Sequence, residues 1–171
     1  MPFRNHPFSY VGPAEIAAAA RQSDPGFPIV TPVDLVNWRS SQTAEIDAEG
    51  NLTATFTIGL DERLRLASRR SEHVACAAGG PVWGAGEVTF DASGKVVAIS
   101  NYSTGFCPEA KWSWPTCQQV LDQIGLPHPG KFTTEVTFRR CPACHERNVV
   151  KDDHYACDLC GCALPAMWNF G

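Results

Sequence analysis

Hydrophobic and polar residues alternate most regularly over positions 52–58, where Leu52, Ala54, Phe56 and Ile58 interleave with Thr53, Thr55 and Thr57. A period of two predicts a strand with one face in a core. Glu49-Gly50-Asn51 is a turn signal just before it, so residues 43–48 are its expected hairpin partner. Alternation returns over 63–67, 86–90 and 95–100. The last two segments flank Asp91-Ala92-Ser93-Gly94, whose composition predicts a hairpin turn. Phe132, Thr134, Val136 and Phe138 share one face of a last predicted strand, which runs straight into Cys141.

Helical signals lie at the start and in the middle of the chain. Residues 13–22, PAEIAAAARQ, read as a short alanine-rich helix that stops before Asp24-Pro25-Gly26. Thr31 followed by Pro32 has the form of an N-cap with proline at the first helical position, opening a helix through Trp38. Ser113 is placed to cap a third helix with Pro115 in its first turn. Cys117, Val120, Leu121 and Ile124 then fall at i, i+3, i+4 and i+7, one apolar stripe, and Gly125 and Pro127 end it. The sum is an α+β fold, mainly an antiparallel sheet with a few short helices. The expected organisation is an α+β domain over 1–138 and a zinc-ribbon module over 139–171 packed on it.

Composition adds limits rather than a function. The chain has 171 residues, 44% hydrophobic and 19% charged, with a net charge of −4. Nothing in that balance attracts nucleic acid or an anionic membrane. No run of about 18 apolar residues occurs, so no membrane-spanning helix is expected. The N-terminal MPFRNHPFSYVGP has no apolar signal core, which makes the cytoplasm the expected location. Eight cysteines could suggest disulfides, but in that setting the paired C-x-x-C units read as metal ligands.

The cysteines carry the clearest chemistry. Cys141-Pro-Ala-Cys144 is followed after twelve residues by Cys157-Asp-Leu-Cys160-Gly161. Two C-x-x-C knuckles at this distance can offer four thiolates to one ion, which predicts a structural Zn²⁺ bound by Cys141, Cys144, Cys157 and Cys160. Cys162, His145 and His154 lie close enough in sequence to replace a ligand. A redox dithiol is the alternative, and two matched pairs argue against it. Zinc ribbons that bind nucleic acid carry basic stripes. From 131 to 171 five basic residues face five acidic ones, so a nucleic-acid partner is disfavoured.

Two polar segments stand out upstream. Arg69-Arg70-Ser71-Glu72-His73-Val74-Ala75-Cys76 collects base, acid, hydroxyl and thiol, and Ser100–Glu109 is a second polar run. Loops at strand ends commonly hold sites. Arg70, Ser71, Asn101, Ser103 and Thr104 are therefore candidate ligand contacts, and the glycines at 79–80 and 84–86 could admit a ligand to the backbone. An enzymatic reading makes His73 a general base with Glu72 or Glu87, and Cys76 or Cys107 a nucleophile, in a hydrolase or transferase. The plain alternative keeps His73 and Cys76 as core residues and uses Asn101, Ser103 and Thr104 to close a turn. Trp112, Trp114 and Trp168 are expected to lid a core rather than form an interface.

The combination Ser71-Glu-His-Val-Ala-Cys76, Ala85-Gly-Glu87, Ile99-Ser-Asn101, Ser103-Thr-Gly-Phe-Cys-Pro-Glu109 and the terminal cysteine pairs with Leu164-Pro and Trp168-Asn-Phe170 resembles a group of small, uncharacterised bacterial proteins. That resemblance spans nearly the whole chain and implies no particular reaction. A fainter similarity, over about a quarter of the chain, is to the core domain of plant IQ-motif calmodulin-binding proteins. It pairs Ala85-Gly86-Glu87 and Ser103-Thr-Gly-Phe-Cys-Pro108 with that domain's Ala-Gly-Arg strand and Ser-Gly-His-Tyr-x-Pro loop. The loop histidine is missing here, and so is a basic calmodulin-binding helix. The resemblance implies a shared β-rich scaffold at most. The leading expectation is a zinc-binding recognition protein that binds another protein or a small ligand, as an accessory component of a multi-protein system such as a bacterial conflict or defence system. The His/Glu/Cys enzyme and the nucleic-acid-binding ribbon are the rivals.

Overall fold

A computed structural model describes residues 6–171. The elements run α1 (Ala14–Ala20), β1 (Phe27–Ile29), α2 (Pro32–Ser40), β2 (Leu52–Gly59), β3 (Leu64–Ser68), α3 (His73–Cys76), β4 (Val82–Phe90), β5 (Val96–Ile99), α4 (Ala110–Ile124), β6 (Thr137–Arg140) and β7 (Arg147–Val150). The fold is α+β. Five strands form one antiparallel sheet in the order β1-β3-β2-β4-β5, and β6 and β7 form a separate hairpin that leads into the cysteine cluster.

The alternation in β2 sorts its side chains between two layers. Leu52, Ala54, Phe56 and Ile58 join the apolar stripe of α4 (Cys117, Val120, Leu121, Ile124) and Leu35 and Trp38 of α2 in the main core. Burying that many aliphatic and aromatic side chains is the main stabilising term, at about 1.5–3 kcal/mol each. The α2 start is a full capping box: Thr31 accepts from the Asp34 N–H, and the Asp34 carboxylate accepts from Thr31 N–H. Thr55 and Thr57 point to the opposite face and are also buried, because α3 lies on them. The Thr57 hydroxyl meets the Cys76 thiol, and Thr55 donates to the Ser71 carbonyl. A smaller core on that side gathers Phe8, Ala17, Ala20, Val74, Val82 and Ala85, with Trp112 and Trp168 packed on it.

Three expectations change. Residues 43–48 form no strand; they make a 3₁₀ turn at Thr43–Glu45 and a single bridge from Ile46 to Leu52. The reason is that β2 is central, with β3 on one side and β4 on the other. The third long helix begins at Ala110, not after Ser113, so Ser113 is a buried helical residue and Pro115 lies inside the helix. Residues 132–138 do not make one strand. Thr137–Arg140 pairs with β7, while Thr134 makes only an isolated parallel bridge to Ser100. The upstream part instead covers the outer edge of β5, where Thr133 N–H donates to the Ile99 carbonyl and the Thr133 hydroxyl bonds Ile99 N–H. An edge strand left bare would be a site for unwanted pairing. Among the described residues no helix is long and apolar enough to cross a membrane.

Candidate metal centre

The β6–β7 hairpin closes on the first knuckle. Cys141 N–H donates to Glu146 O and His145 N–H to Cys141 O, with His145 in the left-handed region at φ +65°. The second knuckle repeats the turn, with Gly161 N–H donating to Cys157 O and Gly161 at φ +78°. These two turns bring the thiols of Cys141, Cys144, Cys157 and Cys160 within 4.8 Å of one another. The Cys141–Cys160 and Cys144–Cys157 Sγ distances are 3.5 and 3.6 Å. A tetrahedron with metal–sulfur bonds of about 2.3 Å has sulfurs about 3.8 Å apart, so the cluster has the dimensions of a four-thiolate site. His145, His154 and Cys162 stand outside it.

The surrounding donors suit thiolates. Asn148, buried between the knuckles, donates to the Cys157 Sγ at 3.4 Å, and its own oxygen accepts from Asp158 N–H. The Cys160 N–H, with Asn148 and Leu159 N–H, holds the Cys157 thiol down to about 6. At Cys144 the Glu146 N–H favours the thiolate, but burial and the hydrogen bonds from the other three thiols outweigh it and push the group up to about 12. Four thiolates cannot share so small a space without a cation, and a metal ion held there would supply it.

The hairpin is tied to the sheet domain at several points. Arg139 lies buried and donates to the Glu109 carboxylate and to the carbonyls of Phe138, Pro165 and Ala166. Arg147 donates to Thr104 O, Trp168 Nε1 donates to Cys107 O, and the Asn169 amide bonds both Arg140 N–H and Arg140 O.

The upstream candidates are dispersed. His73 opens α3, and its Nε2 lies 2.9 Å from Gly86 O. A carbonyl only accepts, so Nε2 carries the proton. Burial lowers the His73 pKa below its ordinary value, against the opposing pull of that carbonyl, Glu72 and Glu87. Glu72 is exposed, and Glu87 makes a loose 3.7 Å pair with Arg69. Cys76 is buried with Thr57 and its thiol is raised by that burial. Cys107 is buried too, donates to Thr104 O and is pushed up to about 12. Both are neutral at physiological pH, and each has its own separate partners. Gly84 and Gly86 are small because other chain segments approach them: an added Cβ would lie 2.8 Å from the Cys117 Sγ and 2.0 Å from Ser100 O, respectively.

Of the candidate ligand contacts, Asn101 is fully buried. Its amide donates to Pro108 O and Val136 O and accepts from Val136 N–H. Ser103 is equally buried, and its hydroxyl has no partner among the described residues. Ser71 O accepts from Thr55, Thr104 O accepts from Arg147, and Arg70 is exposed. None of these five lines either of two open grooves beside Tyr102. One, of about 280 Å³, is bounded by Glu87, Thr89, Ser100, Tyr102, Thr134 and Val136. The other, of about 520 Å³, lies between Tyr102 and the hairpin, along 146–149 and against Asp158 and Leu159. Tyr102 was legible only as the one aromatic among Ser100, Asn101, Ser103 and Thr104. Comparison of the chain with protein-family models, curated proteins and solved structures gives no match.

These placements sort the eight thiols into three classes. With metal bound, a thiol reagent is expected to label only Cys162 quickly. Chelation should add the four clustered thiols, and denaturant the buried Cys76, Cys107 and Cys117. Rapid labelling of Cys76 or Cys107 in the native, metal-bound protein would contradict their burial.

Proposed function

We propose that this is a zinc protein that works by recognition, with the metal completing the fold and the surface beside Tyr102 meeting a ligand. The all-sulfur, closed and tetrahedrally sized ligand set favours Zn²⁺ in a structural role, because a catalytic zinc keeps a position for water. Free thiols in this number fit a reducing compartment such as the cytoplasm. The observation that carries the recognition reading is Tyr102 itself. It is a 46% exposed aromatic residue shared by both grooves, where the sheet domain and the metal hairpin adjoin. Such amphipathic rings are favoured at binding surfaces. A recognition surface suits an accessory component of a multi-protein system.

The enzymatic alternative is weaker, because Cys76 and Cys107 are neutral and His73 already donates to Gly86 O. The nucleic-acid alternative is weaker on charge. Over 131–171 five basic residues balance five acidic ones, and one Zn²⁺ with four thiolates contributes about −2. Arg139 is also turned inward to Glu109.

The test has two arms. Intact-mass measurement of the purified protein should show about one zinc per chain, and a metal-free folded protein would reject the metal assignment. Tyr102→Ala should keep the metal and the folded spectrum while losing capture of the binding partner. Unchanged capture by this variant would reject the site, and a turnover abolished by His73→Gln alone would favour the enzyme.

A further inference from the structure

The two outer edges of the metal hairpin are treated differently by the rest of the chain. Cys141 bonds Glu146, so along the ladder Arg139–Asn148 and Thr137–Val150 are the hydrogen-bonded pairs. Arg140, Phe138, Arg147 and Val149 therefore turn their N–H and C=O groups outward. On the β6 side three of these four groups are met: the Asn169 amide takes both groups of Arg140, and Arg139 donates to Phe138 O, so only Phe138 N–H lacks a partner among the described residues. On the β7 side the N–H and C=O of Arg147 and Val149 have no partner among the described residues.

The larger groove is centred on that bare edge. Glu146, Arg147, Asn148 and Val149 all line it. Successive residues of a strand point to opposite faces, so a groove lined by four in a row must follow the edge. Its two flanks differ in chemistry. On the knuckle side stand the exposed carboxylates of Glu146 and Asp158, with Leu159 beside them. On the other side stand Val149 and the ring of Tyr102. Arg147 on that side is held to Thr104 O, and Lys151 lies just beyond the strand.

We propose that β7 accepts an added strand: an extended segment of a partner protein in which basic and apolar side chains alternate. The partner backbone pairs with the outward N–H and C=O groups of Arg147 and Val149. Its Lys or Arg side chains reach Glu146 and Asp158, and its apolar side chains lie on Val149 and Tyr102. Strand addition of this kind draws affinity from main-chain bonds and specificity from alternate side chains. The proposal rests on the recognition reading and specifies its partner.

The test uses the purified full-length, metal-loaded protein and a capped synthetic hexapeptide alternating valine and lysine. Amide hydrogen exchange is followed residue by residue as the peptide is added. The expected result is that the Arg147 and Val149 amides slow by about tenfold or more, while those of Asn148 and Val150, already bonded to β6, change little. The same peptide with glutamate for lysine should give no protection. Val149→Pro removes one outward N–H without touching the β6 ladder, and should abolish the effect. If that variant loses its metal, Glu146→Lys is the second variant, and should weaken binding by about tenfold. Absence of protection at millimolar peptide would overturn the proposal. So would concentration-dependent protection of Arg147 and Val149 without peptide, which would mean a second copy on the edge. Resonance shifts confined to Ser100 and Thr134, whose amides are already bonded to Glu87 O and Ile99 O, would reject strand addition while leaving recognition beside Tyr102 intact.

Discussion

Removing the metal is expected to melt residues 137–164 while leaving the five-stranded sheet standing. The core of this segment consists of Cys141, Cys157 and Leu164, with Val150 and Tyr155 packed on it. An isolated two-stranded hairpin is marginal in water, so on the proposed reading a bound metal supplies what the apolar contacts do not. Structural zinc in small modules contributes an apparent binding free energy of about 10–16 kcal/mol at neutral pH. On chelation the amide resonances of β6, β7 and the second knuckle should lose dispersion, whereas those of β2 and β4 should stay. Cys157→Ser should reproduce the chelated state, because Cys157 belongs to the candidate ligand cluster and accepts from the Asn148 amide. Cys162→Ser should not, since that thiol lies outside the cluster. A hairpin whose spectrum ignores both the chelator and Cys157→Ser would show that the cysteines are not metal ligands.

Arg139→Ala is expected to cost about 3–5 kcal/mol of stability, the usual penalty for stranding one member of a buried ion pair. The Arg139 and Glu109 side chains are only 5% and 12% exposed, with 2.8 Å between Nη1 and the carboxylate. The substitution leaves that carboxylate without its cation and three carbonyls without a donor. For a chain of this length the midpoint of thermal unfolding should fall by roughly 10 °C or more. Arg139→Lys should recover only part of the loss, because one ammonium cannot reproduce a guanidinium fork that reaches Glu109, Pro165 and Ala166 at once. Arg139→Ala combined with Glu109→Ala should cost clearly less than the sum of the two single changes. Urea titrations of the four variants decide it: a loss below about 1 kcal/mol for Arg139→Ala would mean that the pair does not hold the hairpin to the sheet domain.

Features set by neighbours in the chain were legible in advance. The Thr31-Pro32 cap, the Asp91–Gly94 turn and the apolar stripe of α4 all stand where their local patterns put them. Each depends on residues within a turn or two of one another, and propensity and periodicity report on that range. Misreadings began where a partner had to come from elsewhere. Phe132 and Phe138 share one alternating pattern and are both buried, yet one packs beside Trp114 and the other beside Tyr102. A period of two cannot say which sheet a strand joins. The same holds for residues 43–48, whose pairing was pre-empted by β3 and β4.

The candidate site divides along the same line. The four-cysteine constellation was determined by the sequence alone, because ligand type and spacing within each knuckle are local, and two knuckles need only a hairpin to meet. Tertiary structure decided everything that depends on burial. It turned Asn101 inward as a bracket between Pro108 and Val136, and by desolvation it raised the Cys76 and Cys107 thiols further from ionisation. It also covered Arg140 on the outer edge of β6 with Asn169 from nearly thirty residues away and left the β7 edge bare. Burial and edge pairing are set by chain segments distant in sequence, and no pattern within either strand records them.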